Sequence, residues 1–185
     1  FGRVMLIFQP AEELPPGGAK EMIHSGKLHE WRPSMIFALH VHPFLPAGKV
    51  GYKKNVLMAS YDTFKLVIHG RGGHGATPHL TVDPIAIAAN VITSWQQIIS
   101  RQTDPLDSAV LTIGTINGGE QANIIPENVQ MEGTVRTLSS KLREEIPLRM
   151  ENIAGSIIES FGGNYEFEFH KGYPVLINDE FCTNL

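Results

Sequence analysis

From Asp62 to Phe169 the apolar residues change period in a fixed order, and few folds accommodate that order. Phe64, Leu66 and Ile68 alternate with Thr63, Lys65 and His69, the period of a strand with one buried face. Asp83 is a good helix N-cap, Pro84 follows it in the first helical position, and Ile85, Ala88, Val91, Ile92, Trp95, Ile98 and Ile99 recur at helical spacing. Strands are predicted over residues 109–116 and 128–136. A second helix, over about 141–161, aligns Leu142, Ile146, Met150, Ile153, Ile157 and Phe161, with Pro147 expected to kink it. Gly162-Gly163 ends that helix, and Tyr165, Phe167 and Phe169 alternate in a last strand. Strand–helix–strand–strand–helix–strand is the split βαβ, or ferredoxin-like, arrangement. Residues 60–172 therefore read as a domain able to bury its own core.

The flanks read differently. Residues 4–8 of "FGRVMLIFQPAEELPPGG" form a continuous apolar run, as expected of a strand buried on both faces. A loop, a short helix around Ala19–His24 and a stop at Gly26 follow. "SMIFALHVHP" is a second apolar run, and "LPAGKVGYKKN" a turn-rich connection. The expected fold class is α/β: a partial α/β domain over residues 1–59, an inserted ferredoxin-like domain over 60–172, and a return segment over 173–185. The chain opens on Phe1 rather than Met, and "NDEFCTNL" reads as the start of another helix. Both ends suggest an internal piece of a longer protein.

Composition narrows the class of partner. Of 185 residues, 42% are apolar and 18% charged, a globular balance, and no run has the uninterrupted apolar length of a membrane span. The net charge of −4, with fifteen scattered Lys and Arg, argues against nucleic acid. Neither a nucleic-acid nor a membrane partner is expected, and the expected compartment is the cytoplasm. A single cysteine, Cys182, excludes an internal disulfide framework.

Three places can carry chemistry. Glu12 and Glu13 follow the first apolar run directly, where α/β proteins build their sites. They are either a solvated pair or a division of labour, one carboxylate on a metal and its neighbour taking a proton from water. His40 and His42 close the second run, and in a strand their spacing puts both on one face. They are either packed histidines or donors to a zinc, manganese, cobalt or nickel ion. "GRGGHGATPH" lacks the lysine and spacing of a phosphate loop. It is either a flexible turn or a loop whose glycines let the backbone approach a ligand while His74 aims a donor at it. On strand 128–136, Arg136 shares the polar face with Gln130, Glu132 and Thr134, either solvated or suited to two-point recognition of a carboxylate.

Taken together, "FQPAEE", "ALHVHPFLPAGKVG", "GRGGHGATPH…DPI" and "NIIPENVQMEGTVRT" resemble the amidohydrolase branch of the metal-dependent aminoacylase and carboxypeptidase family. That branch includes hippurate hydrolases, indole-acetyl-amino-acid hydrolases and N-acetyl-diaminopimelate deacetylases. The resemblance implies a metal-dependent hydrolase of N-acyl amino acids or short peptides, with a catalytic domain and an inserted lid that makes a homodimer. It implies Glu12 as general base, and Glu13 and His40 as ligands of a divalent metal centre of two ions per full-length subunit. It further implies that His74 polarises the scissile carbonyl, in its own or the partner subunit's site, and that Asn123 and Arg136 hold the substrate. His42 departs from the pattern. The family's upstream histidine and cysteine ligands, and its late histidine, have no counterpart here, so the expected site is incomplete and idle in this chain. The rival expectation is a non-catalytic dimerisation module.

Overall fold

The computed structural model describes residues 2–14 and 17–185. These divide into two units at the Tyr52–Lys53 and Asp179–Glu180 links. Phe1, Pro15 and Pro16, which the sequence assigns to the start of the chain and to a loop, lie outside the described residues.

The unit that ends at Tyr52 contains two short helices, α1 (Ala19–His24) and α2 (Lys27–Trp31). The first is where the sequence predicts it, and Gly26 separates the two in a left-handed conformation. The predicted strands over residues 4–8 and 34–43 do not form. Both stretches are extended coil with their apolar side chains outward: Val4 is 92% exposed, Phe8 82%, Leu39 92% and Val41 87%. The reason is the missing ladder. A strand apolar on both sides needs hydrogen-bonded neighbours and covering layers, and among the described residues no strand pairs with either run.

The second unit, Lys53–Asp179, carries the ferredoxin-like pattern. Strand β1 (Asn55–Met58) leads into β2 (Asp62–His69), and the two-residue β3 (Gly73–His74) follows. Helix α3 (Pro84–Gln102) starts where expected, with the Asp83 carboxylate accepting from the Ile85 and Ala86 N–H groups. Then come β4 (Ala109–Asn117), the short β5 (Ile124–Ile125), β6 (Asn128–Thr137), helix α4 (Ser140–Ser160), β7 (Asn164–Lys171) and β8 (Leu176–Asn178). Helix α4 is continuous through Pro147. A last helix, α5 (Glu180–Thr183), belongs to the first unit.

Among the described residues β4, β6, β2 and β7 form one antiparallel sheet in that order, the arrangement that two split βαβ halves dictate. Phe64, Leu66 and Ile68 from β2, and Val129, Met131 and Val135 from β6, face α3 and α4 in a single core. Trp95 anchors it, with its ring edge-on to Phe64 at 5.1 Å and its indole N–H donating 2.9 Å to the Met150 carbonyl. The opposite face carries Lys65, His69, Glu132 and Arg136 and is turned away from α3 and α4. Strands β1 and β8 pair with each other, Asn55 opposite Asn178. Three or four residues are too few to show a period, so the sequence does not reveal this ribbon.

Candidate functional site

The two glutamates sit on a turn, and its geometry comes from the backbone. The Leu14 N–H donates to the Ala11 carbonyl at 3.2 Å, and the Gly18 N–H reaches the Pro10 carbonyl at 3.0 Å. Ala11 takes φ 49°, a left-handed conformation that costs a non-glycine residue energy. Glu12 and Glu13 are both exposed. They follow extended coil, so the strand-end position expected for them does not arise.

His40 is also exposed and in coil, so the shared face expected for His40 and His42 does not arise either. His42 lies edge-on to Phe44 at 5.6 Å. The Nδ1–H of His40 donates to the Val41 carbonyl at 2.7 Å. That bond fixes the tautomer and leaves the Nε2 lone pair free, the state in which histidine ligates a metal. One suitable histidine does not make a metal site. Among the described residues no group of three or more His, Cys, Asp or Glu is placed to hold an ion. A catalytic zinc takes three protein ligands, so the described residues do not by themselves fit a metal centre.

The third cluster is built on paired strands. His74 in β3 pairs with Ile124 in β5, and Gly73 pairs with Ile125. The Gly75 N–H donates to the Asn123 carbonyl at 2.8 Å, tying the two loops together beside both candidate residues. The Ala76 N–H donates to His74 Nδ1 at 3.1 Å, so the ring hydrogen lies on Nε2, which can donate outward. Glycines of this loop pack against the chain itself. A Cβ on Gly70 would stand 2.2 Å from the Val82 carbonyl oxygen, so the close approach is to the protein's own backbone. A recess of about 380 Å³ lies alongside, lined by Gly75, Asp83, Glu120, Gln121, Ile124 and Pro126.

Arg136 belongs to the other end of the sheet. His69 pairs with Asn128 near the His74 loop, whereas Asp62 pairs with Val135. Asn128 and Arg136 lie eight residues apart on β6, and at about 3.3 Å per residue that is roughly 26 Å. His74 and Asn123 therefore come together within one copy of the chain, and Arg136 does not join them. The Arg136 guanidinium lies 4.8 Å from the Tyr61 ring centroid. His69 is held between Asn128 Oδ1 at 2.7 Å and Glu166 Oε1 at 3.1 Å.

Sequence reasoning missed one buried pair. Asp62 is 0% exposed and accepts from Arg143 Nε at 2.9 Å, Arg143 Nη2 at 2.7 Å and the Gly172 N–H at 3.0 Å. Hydrogen bonding to Asp62 is the first cause that raises the Arg143 pKa, against the opposing effect of burial. The signal was present: Asp62 occupies an inward position in the alternation of Phe64, Leu66 and Ile68.

The peptidase dimerisation domain of the M20 family matches residues 59–160, more than half of the chain. The chain belongs to that family. It is 47% identical over 175 residues to the N-acetyldiaminopimelate deacetylase of Bacillus licheniformis, covering 95% of this chain and 46% of that protein. It is 42% identical over 177 residues to an N-acyl-L-amino acid amidohydrolase of Geobacillus stearothermophilus, covering 96% and 47%. A crystal structure of a dinuclear metal-binding M20 peptidase from Bacillus subtilis superposes with a TM-score of 0.74 at 35% identity, covering 96% of this chain and 43% of that one. The chain thus spans about half the length of the M20 relatives it matches. The ferredoxin-like reading agrees with the family's dimerisation domain, and among the described residues no helix is long and apolar enough to cross a membrane.

Proposed function

We propose that the intact protein is an M20 amidohydrolase that cleaves the amide bond of N-acyl amino acids or short peptides and works as a homodimer. The observation that carries this reading is the 47% identity to an N-acetyldiaminopimelate deacetylase, which extends over 95% of the chain and so through both units. Glu12 accepts a proton from the attacking water and delivers it to the leaving amine. The His74 Nε2–H donates to the carbonyl oxygen as charge develops on it. Asn123 and Arg136 bind the substrate carboxylate, the guanidinium by two parallel hydrogen bonds. Glu13 and His40 are two of the ligands of a centre of two divalent ions per subunit, zinc, manganese, cobalt or nickel suiting such donors.

The separation of Arg136 from His74 and Asn123 supports a homodimer in which one copy's loop pair serves the other copy's site. Acetate release from N-acetyl amino acids by the intact protein tests the reaction, and no hydrolysis of any would overturn it. Mixing His74→Ala and Arg136→Ala proteins tests the sharing. At substrate concentrations well below KM each alone is expected to show little activity, and equal mixing under subunit exchange is expected to restore about a quarter of the wild-type rate. Half of the dimers are then mixed, each with one intact site. Failure of mixed dimers to recover activity would sink the shared arrangement.

A second reading has its own support. The matched family model is a dimerisation domain. The chain by itself is then a dimerisation module without catalysis. Sedimentation of this chain should show a dimer, and a strict monomer would remove that reading.

A further inference from the structure

Among the described residues Arg136 carries a charge that no carboxylate answers. Among the described residues no acidic side chain lies within ion-pair distance of it. Its contact is with Tyr61, whose ring centroid is 4.8 Å from the guanidinium carbon. An aromatic face attracts the cation and offers no strong acceptor, so the guanidinium is held in place while its N–H groups remain available.

The ladder explains why these two side chains meet. Asp62 pairs with Val135, and the Ser60 N–H continues the ladder by donating 2.9 Å to the Thr137 carbonyl. Tyr61 and Arg136 are therefore cross-strand neighbours on the face turned away from α3 and α4. On its other side Tyr61 meets Gly172, where an added Cβ would stand 2.2 Å from the Tyr61 carbonyl oxygen and 3.3 Å from its Cδ1. The backbone there is fixed from below. The Gly172 N–H donates to the buried Asp62 carboxylate at 3.0 Å, Arg143 Nη2 donates 2.9 Å to the Gly172 carbonyl, and the Tyr61 N–H donates 3.1 Å to the Tyr173 carbonyl.

We propose that Tyr61 is the positioning residue for Arg136, setting the guanidinium over its ring for two-point capture of a substrate carboxylate. This rests on the role proposed above for Arg136. Tyr61 does not touch the reacting atoms; it acts through the arginine. Its contribution therefore falls on KM for substrates that carry the carboxylate, and not on kcat.

The test compares an N-acetyl amino acid with its C-terminal carboxamide in the intact protein. Tyr61→Leu is expected to raise KM for the acid about two- to fivefold, the range of an exposed cation–π contact, with kcat and the carboxamide kinetics unchanged. Tyr61→Phe keeps the ring face and should restore the wild-type KM. In an Arg136→Ala background, Tyr61→Leu should add nothing. An unchanged KM in Tyr61→Leu, while Arg136→Ala raises it, overturns the positioning role and leaves the Arg136 reading standing. Equal losses on acid and carboxamide, or failure of Tyr61→Phe to restore, reveal a merely structural role and overturn it too. If Arg136→Ala affects neither substrate, the Arg136 role fails and the Tyr61 proposal fails with it.

Discussion

Glu12→Gln in the intact protein is expected to lower amide hydrolysis by about 10²- to 10⁴-fold, the usual contribution of a positioned general base. The substitution keeps the size and most of the shape of the side chain and removes only its capacity to take a proton. It should not disturb the fold. Glu12 is exposed, and its turn is held by the backbone bonds from Leu14 to Ala11 and from Gly18 to Pro10. The loss should therefore appear in kcat, with the melting temperature unchanged. The neighbouring Glu13 has a different proposed role, so comparing the two variants separates proton transfer from ligation. Turnover near the wild-type rate in Glu12→Gln would remove Glu12 as the base.

What the sequence could reveal depended on whether a segment carries its own partners. Residues 62–169 do: each strand has a neighbour, each helix a face to cover, and the periods of two and 3.6 follow from that burial. The start of α3 was legible to the residue, because an Asp-Pro cap is a local device. The runs at residues 4–8 and 34–43 show the opposite case. Their apolar content states that they suit a buried sheet, but a strand is a relation between segments, and no second segment pairs with them among the described residues.

The candidate site divides in the same way. Glu12, Glu13 and His40 were singled out by position at the ends of apolar runs, yet these runs are coil, so that spatial argument does not support them. Their assignment rests on family resemblance. His74 and Asn123 are 49 positions apart in the sequence, and only the pairing of β3 with β5 brings their loops together. Two-residue strands have no period to read. Arg136 was placed on the correct face of β6 by alternation, whereas its distance from His74 follows from sheet register, which alternation does not encode.

Arg143→Ala is expected to destabilise the fold of Lys53–Asp179 by about 3–5 kcal/mol, because it leaves the Asp62 carboxylate buried without its cation. The size of the effect follows from Asp62 rather than from the lost attraction. At 0% exposure the carboxylate has no water to replace the two guanidinium N–H groups, and the Gly172 N–H alone would remain. Replacing both partners, Asp62→Leu with Arg143→Met, should recover much of the loss, since no buried charge is then orphaned. Urea unfolding of the two variants against wild type measures this, and a cost below about 1 kcal/mol for Arg143→Ala would show that the pair is not acting as a buried ion pair. The pH dependence has a definite sign. The Arg143 pKa is raised in the fold, so its stabilisation is complete below the ordinary guanidinium value and is lost only as pH rises through the folded one. From neutral pH to about 10 the Arg143 charge therefore adds no pH dependence of its own to the gap between wild type and Arg143→Ala. The same variant joins stability to recognition. Arg143 fixes the Gly172 carbonyl and, through Asp62, its N–H, and Gly172 packs on Tyr61 beneath Arg136. Under conditions where Arg143→Ala remains folded, it should raise KM for carboxylate-bearing substrates more than for their carboxamides. Equal changes on both would confine Arg143 to stability.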